Sequence, residues 1–283
     1  MKRALSGIIL CGFAVLGGCT ADDETPPFEL RDSSGVSMAE NHRPQWEASE
    51  EWKVGRDAIL RLGVVEGESA FQFDGVTGLA RTGDGGIVVA DGGSQEVRFF
   101  DSSGSFRTLV GGEGEGPGEF TGLSGLGVAP DGTCWAYYFS LRRITWMNGA
   151  GQVEAITSLG QEPPTLNSVG AFPDGTFVLK QLWGSAAVAG ATEAGLRRDP
   201  VAYVRFGRDG ALVDTVGLFP GREVFLRDEN GRAVMSTPPF ARNSVGATWG
   251  DALAVGTQEG FEVLGLSPDG VPQRIVRIPQ WPV

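Results

Sequence analysis

ArgThrGlyAspGlyGlyIleValValAlaAsp (81–91) leads into GluValArgPhePheAspSerSerGly (96–104), and the phrase these two segments make returns three more times. It is a small turn at Asp-Gly, a short apolar run, a polar break, a second apolar run and another Gly-containing turn. The second copy reads AlaProAspGlyThrCysTrpAlaTyr (129–137) and ArgArgIleThrTrpMetAsnGlyAlaGly (142–151). The third starts at PheProAspGlyThrPheValLeu (172–179) and resumes at AlaTyrValArgPheGlyArgAspGly (202–210). The fourth is GlyAspAlaLeuAlaValGly (250–256) with PheGluValLeuGlyLeuSerProAspGly (261–270). A unit of this kind cannot bury its apolar face alone, so repeated units stack and settle the architecture together.

The period narrows the choice. The turns at Asp84, Asp131 and Asp174 lie 47 and 43 residues apart, near the roughly 40–50 residue period of propeller blades and far from the roughly 20–35 of leucine-rich or ankyrin repeats. Within a unit the two turns are 17 residues apart in copy one (Asp84 to Asp101) and 18 in copy four (Asp251 to Asp269). In copy three the step is 35 (Asp174 to Asp209), so an insertion is expected at about 182–200. The apolar runs are short, β-branched or aromatic, and bounded by Gly, Pro and Asp, which is strand chemistry. Asp-Gly supplies the positive φ that tight hairpins require. No window of helical length outside the N-terminus carries a sustained apolar stripe. With 44 glycines and 16 prolines in 283 residues, the chain reads as all-β.

The N-terminus is a separate object. Lys2 and Arg3 precede an apolar run from Ala4 to Leu16, which LeuGlyGlyCys (16–19) closes. A basic start, a short apolar core and small residues before a cut describe an export signal over 1–18, with a transmembrane anchor as the alternative. LeuGlyGlyCys resembles the bacterial lipobox. That resemblance implies cleavage before Cys19, acylation of its thiol, and placement in the cell envelope as an outer-membrane lipoprotein facing the periplasm or exterior. Residues 19–50 are acidic, hold adjacent prolines and lack periodicity, so a flexible tether is expected there, with the ordered domain over 51–283 and its first strands at 52–55 and 58–63. His42 falls in this tether and is expected to be solvated. Loss of the two charges at Lys2 and Arg3 takes the formal charge from −12 to −14. Such a surface repels nucleic acid. Cys134 is left alone in a predicted strand, so no internal disulfide is expected, and it reads as a small buried apolar residue.

The segment between the first two copies, LeuValGlyGlyGluGlyGluGlyProGlyGluPheThrGlyLeu (109–123), is a Gly-rich crossing between blades in which Phe120 can anchor the next unit. It lacks the Gly-Lys-Ser/Thr of a phosphate loop, and no helix follows it as a dinucleotide fold would need. This linker, the Asp-Gly turns and ValValAlaAspGlyGlySerGlnGluValArgPhePheAsp (88–101) resemble the NHL-like six-bladed β-propellers, many of them exported bacterial lipoproteins. The likeness covers about Trp52 to Val276. It implies four-stranded antiparallel blades around a channel, with N- and C-terminal strands sharing one blade. Four copies are clear, strands at 213–240 are ambiguous, and six blades of about 42 residues would need more than the 232 residues of 52–283. A five-bladed or incomplete ring stays open as an alternative.

Catalytic residue sets are thin. One histidine excludes a His-rich metal site and argues against a Ser-His-Asp triad. Asp91 and Glu119 are the candidates for a Ca²⁺ site, set against their reading as a turn-former and a loop charge. Arg142 and Arg143 are the candidates for binding an acidic ligand group, set against ordinary pairing between blades. The reading is a membrane-tethered, monomeric propeller that binds a protein, glycan or small ligand, needs no cofactor and is not a hydrolase. The alternative is a Ca²⁺-dependent propeller enzyme of the lactonase, lyase or sugar dehydrogenase kind.

Overall fold

A computed structural model of the chain describes residues 26–45, 47–160, 163–164, 166–182, 194–230 and 232–279. The expected signal segment, Cys19 and most of the expected insertion lie outside these residues. Strands dominate. In chain order they are β1 (Phe28–Ser33), β2 (Val36–Asn41), β3 (Val76–Arg81), β4 (Ile87–Asp91), β5 (Glu96–Phe100), β6 (Phe106–Gly111), β7 (Leu123–Val128) and β8 (Cys134–Tyr138). Then come β9 (Arg143–Met147), β10 (Val153–Ser158), β11 (Leu166–Ala171), β12 (Phe177–Gln181), β13 (Gly195–Arg197), β14 (Pro200–Phe206) and β15 (Leu212–Pro220). The last are β16 (Val224–Glu229), β17 (Arg232–Ser236), β18 (Val245–Trp249), β19 (Ala252–Gly256), β20 (Glu262–Leu266) and β21 (Pro272–Arg277). Two single 3-10 turns, at 48–50 and 69–71, are the helix among the described residues, and no described helix is long and apolar enough to cross a membrane.

Each repeat read from the sequence is four antiparallel strands: β3-β4-β5-β6, β7-β8-β9-β10 and β11-β12-β14-β15 are sheets of their own, and β18-β19-β20-β21 is part of a larger sheet. Their inner strands β3, β7, β11 and β18 contact one another in that order, as propeller blades do around an axis. A fifth sheet, β13-β16-β17, is built from two insertions, which resolves the ambiguous stretch 213–240 into β15, β16 and β17.

The apolar core lies between blades. Cys134, Ala136 and Tyr138 pack with Val88, Ala90, Val97 and Phe99 of the first blade, while Trp135 and Tyr137, on the other face of β8, pack with Phe177, Leu179 and Val204 of the third. Both faces of β8 are therefore buried, and its sequence runs continuously apolar instead of alternating. Tyr203, Val178 and Val201 meet Leu253, Val255 and Leu266 between the third and fourth blades. Phe177 stands edge-on to both Trp135 and Trp146, with centroids 4.7 and 5.9 Å away, a geometry that adds to its area term. Phe120 anchors the linker as expected, fully buried and edge-on to Tyr138 at 5.2 Å.

The outer turns repeat one device. Asp84, Asp131 and Asp174 each accept a hydrogen bond from the backbone N–H two residues on, at 3.2, 2.9 and 2.8 Å, which is the Asx turn that favours Asp at these positions. Inner strands converge because glycine lets them. A Cβ on Gly125 would come within 2.9 Å of the Ser168 Cβ on the neighbouring inner strand.

Two expectations need correction. Residues 28–41 are not tether. Ser34 and Gly35 both take positive φ, +56° and +86°, closing β1 and β2 into a hairpin with β-strand twist, and β2 adds parallel to β21. The N-terminal and C-terminal strands thus share a sheet, of order β1-β2-β21-β20-β19-β18. Conversely, 52–63 holds no strand, and Trp52 is fully exposed. Acidic composition hid an ordered hairpin, and apolar composition suggested strands that have no partner.

Candidate functional site

Antiparallel blades sort their connections to two ends. The connections that join first to second and third to fourth strands, among them the turns at Asp84, Asp131, Asp174, Asp209 and Asp269, leave at one end. Second-to-third connections and blade-to-blade crossings leave at the other, and this second rim holds the candidate metal and ligand residues read from the sequence. Asp91 ends β4, Glu119 lies in the β6–β7 crossing, and Arg142 and Arg143 lie where the β8–β9 connection enters β9.

Asp91 and Glu119 do not assemble a cation site. Asp91 is completely buried, its Oδ2 accepting from the Asp74 N–H at 2.9 Å and its Oδ1 from the Gly93 N–H at 3.2 Å. The Arg98 guanidinium stands 3.6 Å from Oδ2. Exposed Glu119 turns back on its own loop, accepting from the Gly116 N–H at 2.8 Å. Among the described residues neither belongs to a cluster of three metal-ligating side chains. Asp91 acts as a structural carboxylate that pins the segment before β3 to the β4–β5 turn.

Arg142 and Arg143 serve the scaffold as well. Arg142 donates to the Gly160 and Pro163 carbonyls at 2.8 and 2.9 Å, and Arg143 to the Glu115 carbonyl at 2.9 Å. Arg142 sits at φ +50°, and two other residues of these rim turns, Gln95 and Gln258, take φ of +57° and +61°. Both glutamines also reach across: Gln95 Oε1 accepts from the Leu123 N–H at 3.0 Å, and Gln258 Oε1 from the Asn243 N–H at 2.7 Å. Left-handed backbone at these non-glycine positions is held by contacts to the neighbouring loops. The partners are backbone carbonyls and amides, which a sequence cannot display.

The rim residue the sequence reading missed is Lys180. It lies at the end of β12, in PheValLeuLysGln (177–181), half-buried over the Tyr203 ring at 5.8 Å. Its ammonium donates to Asn243 Oδ1 at 2.9 Å and to the Ser244 carbonyl. These acceptors are neutral. Burial first, then the charges of Arg222 and Arg198, pull its pKa down to about 8. Around it, the 221–223 and 241–243 loops are tied by Glu223, whose Oε2 accepts from the Arg242 N–H at 2.9 Å and whose Oε1 accepts from Arg242 Nε at 2.7 Å. Arg198 donates to the Gly221 and Thr257 carbonyls and pairs with Glu259 at 3.1 Å. The charges of Arg222 and Arg198 thus bear on Lys180 at this part of the rim, where Glu259 and Glu223 pair with Arg198 and Arg242, in a chain whose formal charge is −12. A lysine directly after the apolar run Phe-Val-Leu was the available signal.

Three of the cavities among the described residues bear on the blades' faces and axis. One of about 400 Å³ follows the axis, lined by the inner strands with Thr77, Ser124, Ser168 and Thr248 among its walls. Two apolar concavities, of about 800 and 600 Å³, lie on the outward faces of the fourth and first blades, lined by Val245, Val263 and Val276 in one case and Leu60, Val76 and Leu79 in the other. Cys134 is buried, and burial pushes its thiol up to about 11, in keeping with a packing role.

No family model matches the chain, and no curated protein matches it. Solved structures do. A protein of Bacteroides fragilis described as exported is similar at 15% identity and a TM-score of 0.50, over 81% of this chain and 59% of that one. The chain thus spans about 59% of that protein's length. Virginiamycin B lyase from Staphylococcus aureus aligns at 14% identity and a TM-score of 0.40, over 73% of this chain and 71% of the lyase. A chain of the nidogen/laminin complex aligns at 12% identity and 0.38, over 71% and 80%. At these identities the likeness concerns the fold. The chain is an all-β protein of propeller type.

Proposed function

We propose that the chain is an extracytoplasmic, lipid-tethered propeller of the NHL-like kind, and that its loop rim binds a ligand bearing a carboxylate or phosphate at the Lys180 cluster. The observation that carries this reading is the electrostatic arrangement of the rim. Asp91, Glu119, Arg142 and Arg143 are all held by the protein's own backbone. Lys180 keeps a partly desolvated charge near Arg222 and Arg198, and both its acceptors, Asn243 Oδ1 and the Ser244 carbonyl, are neutral. An anion there would gain from a field that water screens weakly. A ligand bearing two oxygens in one plane suits the neighbouring guanidinium groups. The tether rests on LeuGlyGlyCys after the apolar run, and export on the signal-like 1–18; several acyl chains on Cys19 would hold stably where one would not.

One experiment tests both parts. Membrane and soluble fractions of bacteria expressing the chain are probed with an array of carboxylated, phosphorylated and neutral saccharides and small molecules. The expected result is binding of anionic members by the membrane fraction. Lys180→Met should remove it, and Cys19→Ala should move it to the soluble fraction. Equal binding of neutral members, or undiminished binding by Lys180→Met, overturns the recognition reading. Binding that stays with the membrane in Cys19→Ala overturns the tether.

A further inference from the structure

We infer that the N-terminal hairpin carries a site for a divalent transition-metal ion, zinc by its ligand chemistry, formed by Glu29, Glu40 and His42. The one histidine of the chain is not solvated, as its acidic surroundings in the sequence suggest. Both its ring nitrogens are shut off from solvent, and neither has a hydrogen-bond partner. An imidazole needs at least one partner for its N–H and one for its lone pair, and leaving both unmet inside a protein is costly. What the ring has nearby is carboxylate: one ligand atom from each of Glu29, Glu40 and His42 lies within 4.8 Å of the other two.

The hairpin explains how they meet. Glu29 of β1 pairs directly with Glu40 of β2, and His42, two residues beyond Glu40, continues the same side by the two-residue period of a strand. Two like charges placed directly opposite each other weaken a hairpin unless a cation stands between them. Glu40 is buried and accepts hydrogen bonds from Arg277 Nε at 2.7 Å and from Arg31 at 3.0 Å. Among the described residues, the ion pairs of Glu40 with Arg31 and Arg277 fall on Oε1. Arg277 also approaches Glu262, at 3.7 Å, so two arginines face three carboxylates on this part of the sheet.

One imidazole nitrogen and two carboxylate oxygens are a borderline donor set. It suits zinc better than calcium or magnesium, which take oxygen alone. Tetrahedral zinc would draw the three atoms to about 3.3 Å from one another, a rotamer adjustment from where they stand, and would leave one position for water. Bound there, the ion would fasten β1 to β2, the strand that pairs with β21.

The test uses the full-length chain in detergent, freed of metal with chelator and titrated with zinc chloride alone, alongside His42→Ala and Glu29→Gln. Calorimetry and metal analysis should give about one zinc per chain in the wild type, with a raised melting temperature. In both variants that stoichiometric binding and the shift should be lost. Glu29 is exposed, so Glu29→Gln tests the site without disturbing the interior. Zinc binding that survives in either variant, or no zinc binding by the wild type, overturns the site. Binding of calcium in preference to zinc overturns the assignment of His42 as a ligand.

Discussion

Lys180 shows how burial and charge act on one residue. Its pKa is about 8 in the folded chain against an ordinary 10.5, so the folded state binds that proton less firmly than the unfolded state does. Below pH 8 both states are protonated and the whole desolvation cost falls on folding. Between pH 8 and 10.5 only the unfolded state holds the proton, so stability rises with pH across that window. The full shift corresponds to about 3 kcal/mol, and because the side chain is only partly buried, solvent screening reduces this to about 1 kcal/mol. Urea melts of wild type and Lys180→Met at pH 7.5 and 10 should therefore show the wild type gaining about 1 kcal/mol on the variant as the pH rises. A difference that is flat or reversed between those values would show that Lys180 is not desolvated. At this scale the sequence was legible in part. Asp84, Asp131 and Asp174 announced their turns because the Asx bond is local, between residues two apart. Lys180, Arg142 and Gln95 find these partners 18 to 64 residues away in the sequence, so their roles could not be read from a single string.

Among elements, what the sequence conveyed was set by how many faces each strand buries. β4, β8 and β12 are covered on both faces, and their apolar runs stood out. β1 and β2 are mostly polar, join only at an edge, and owe their order to a Ser-Gly turn and to pairing with β21 on the far side of the chain. That pairing is invisible to local pattern, which is why an acidic segment was read as tether. The inner strands depend instead on close approach. Gly125→Ala should cost about 1–3 kcal/mol through overpacking, because the new Cβ meets both side-chain atoms of Ser168, whereas Gly149→Ala, with nothing within 4 Å and no positive φ, serves as the control. Equal melting temperatures for the two variants would mean that β7 and β11 are not in contact.

For the whole molecule, periodicity carried the architecture. Four sequence copies became four sets of antiparallel strands with their cores between them, and the crossing at 109–123 joins the first two blades through buried Phe120. The same topology carries the turns at Asp84, Asp131 and Asp174 to one end and Asp91, Glu119, Arg142, Arg143 and Lys180 to the other. The central claim is that this rim receives an anionic ligand at Lys180. The measurement that meets it most directly is the Lys180 pKa, followed by nuclear magnetic resonance of ¹³C-methylated lysines, in the free protein and with the tightest anionic member of the array at saturation. The expected result is a value near 8 in the free protein that rises by about one unit or more when the anion is bound, since an adjacent negative charge favours the protonated amine. A Lys180 titration that is unchanged by saturating ligand would contradict the account.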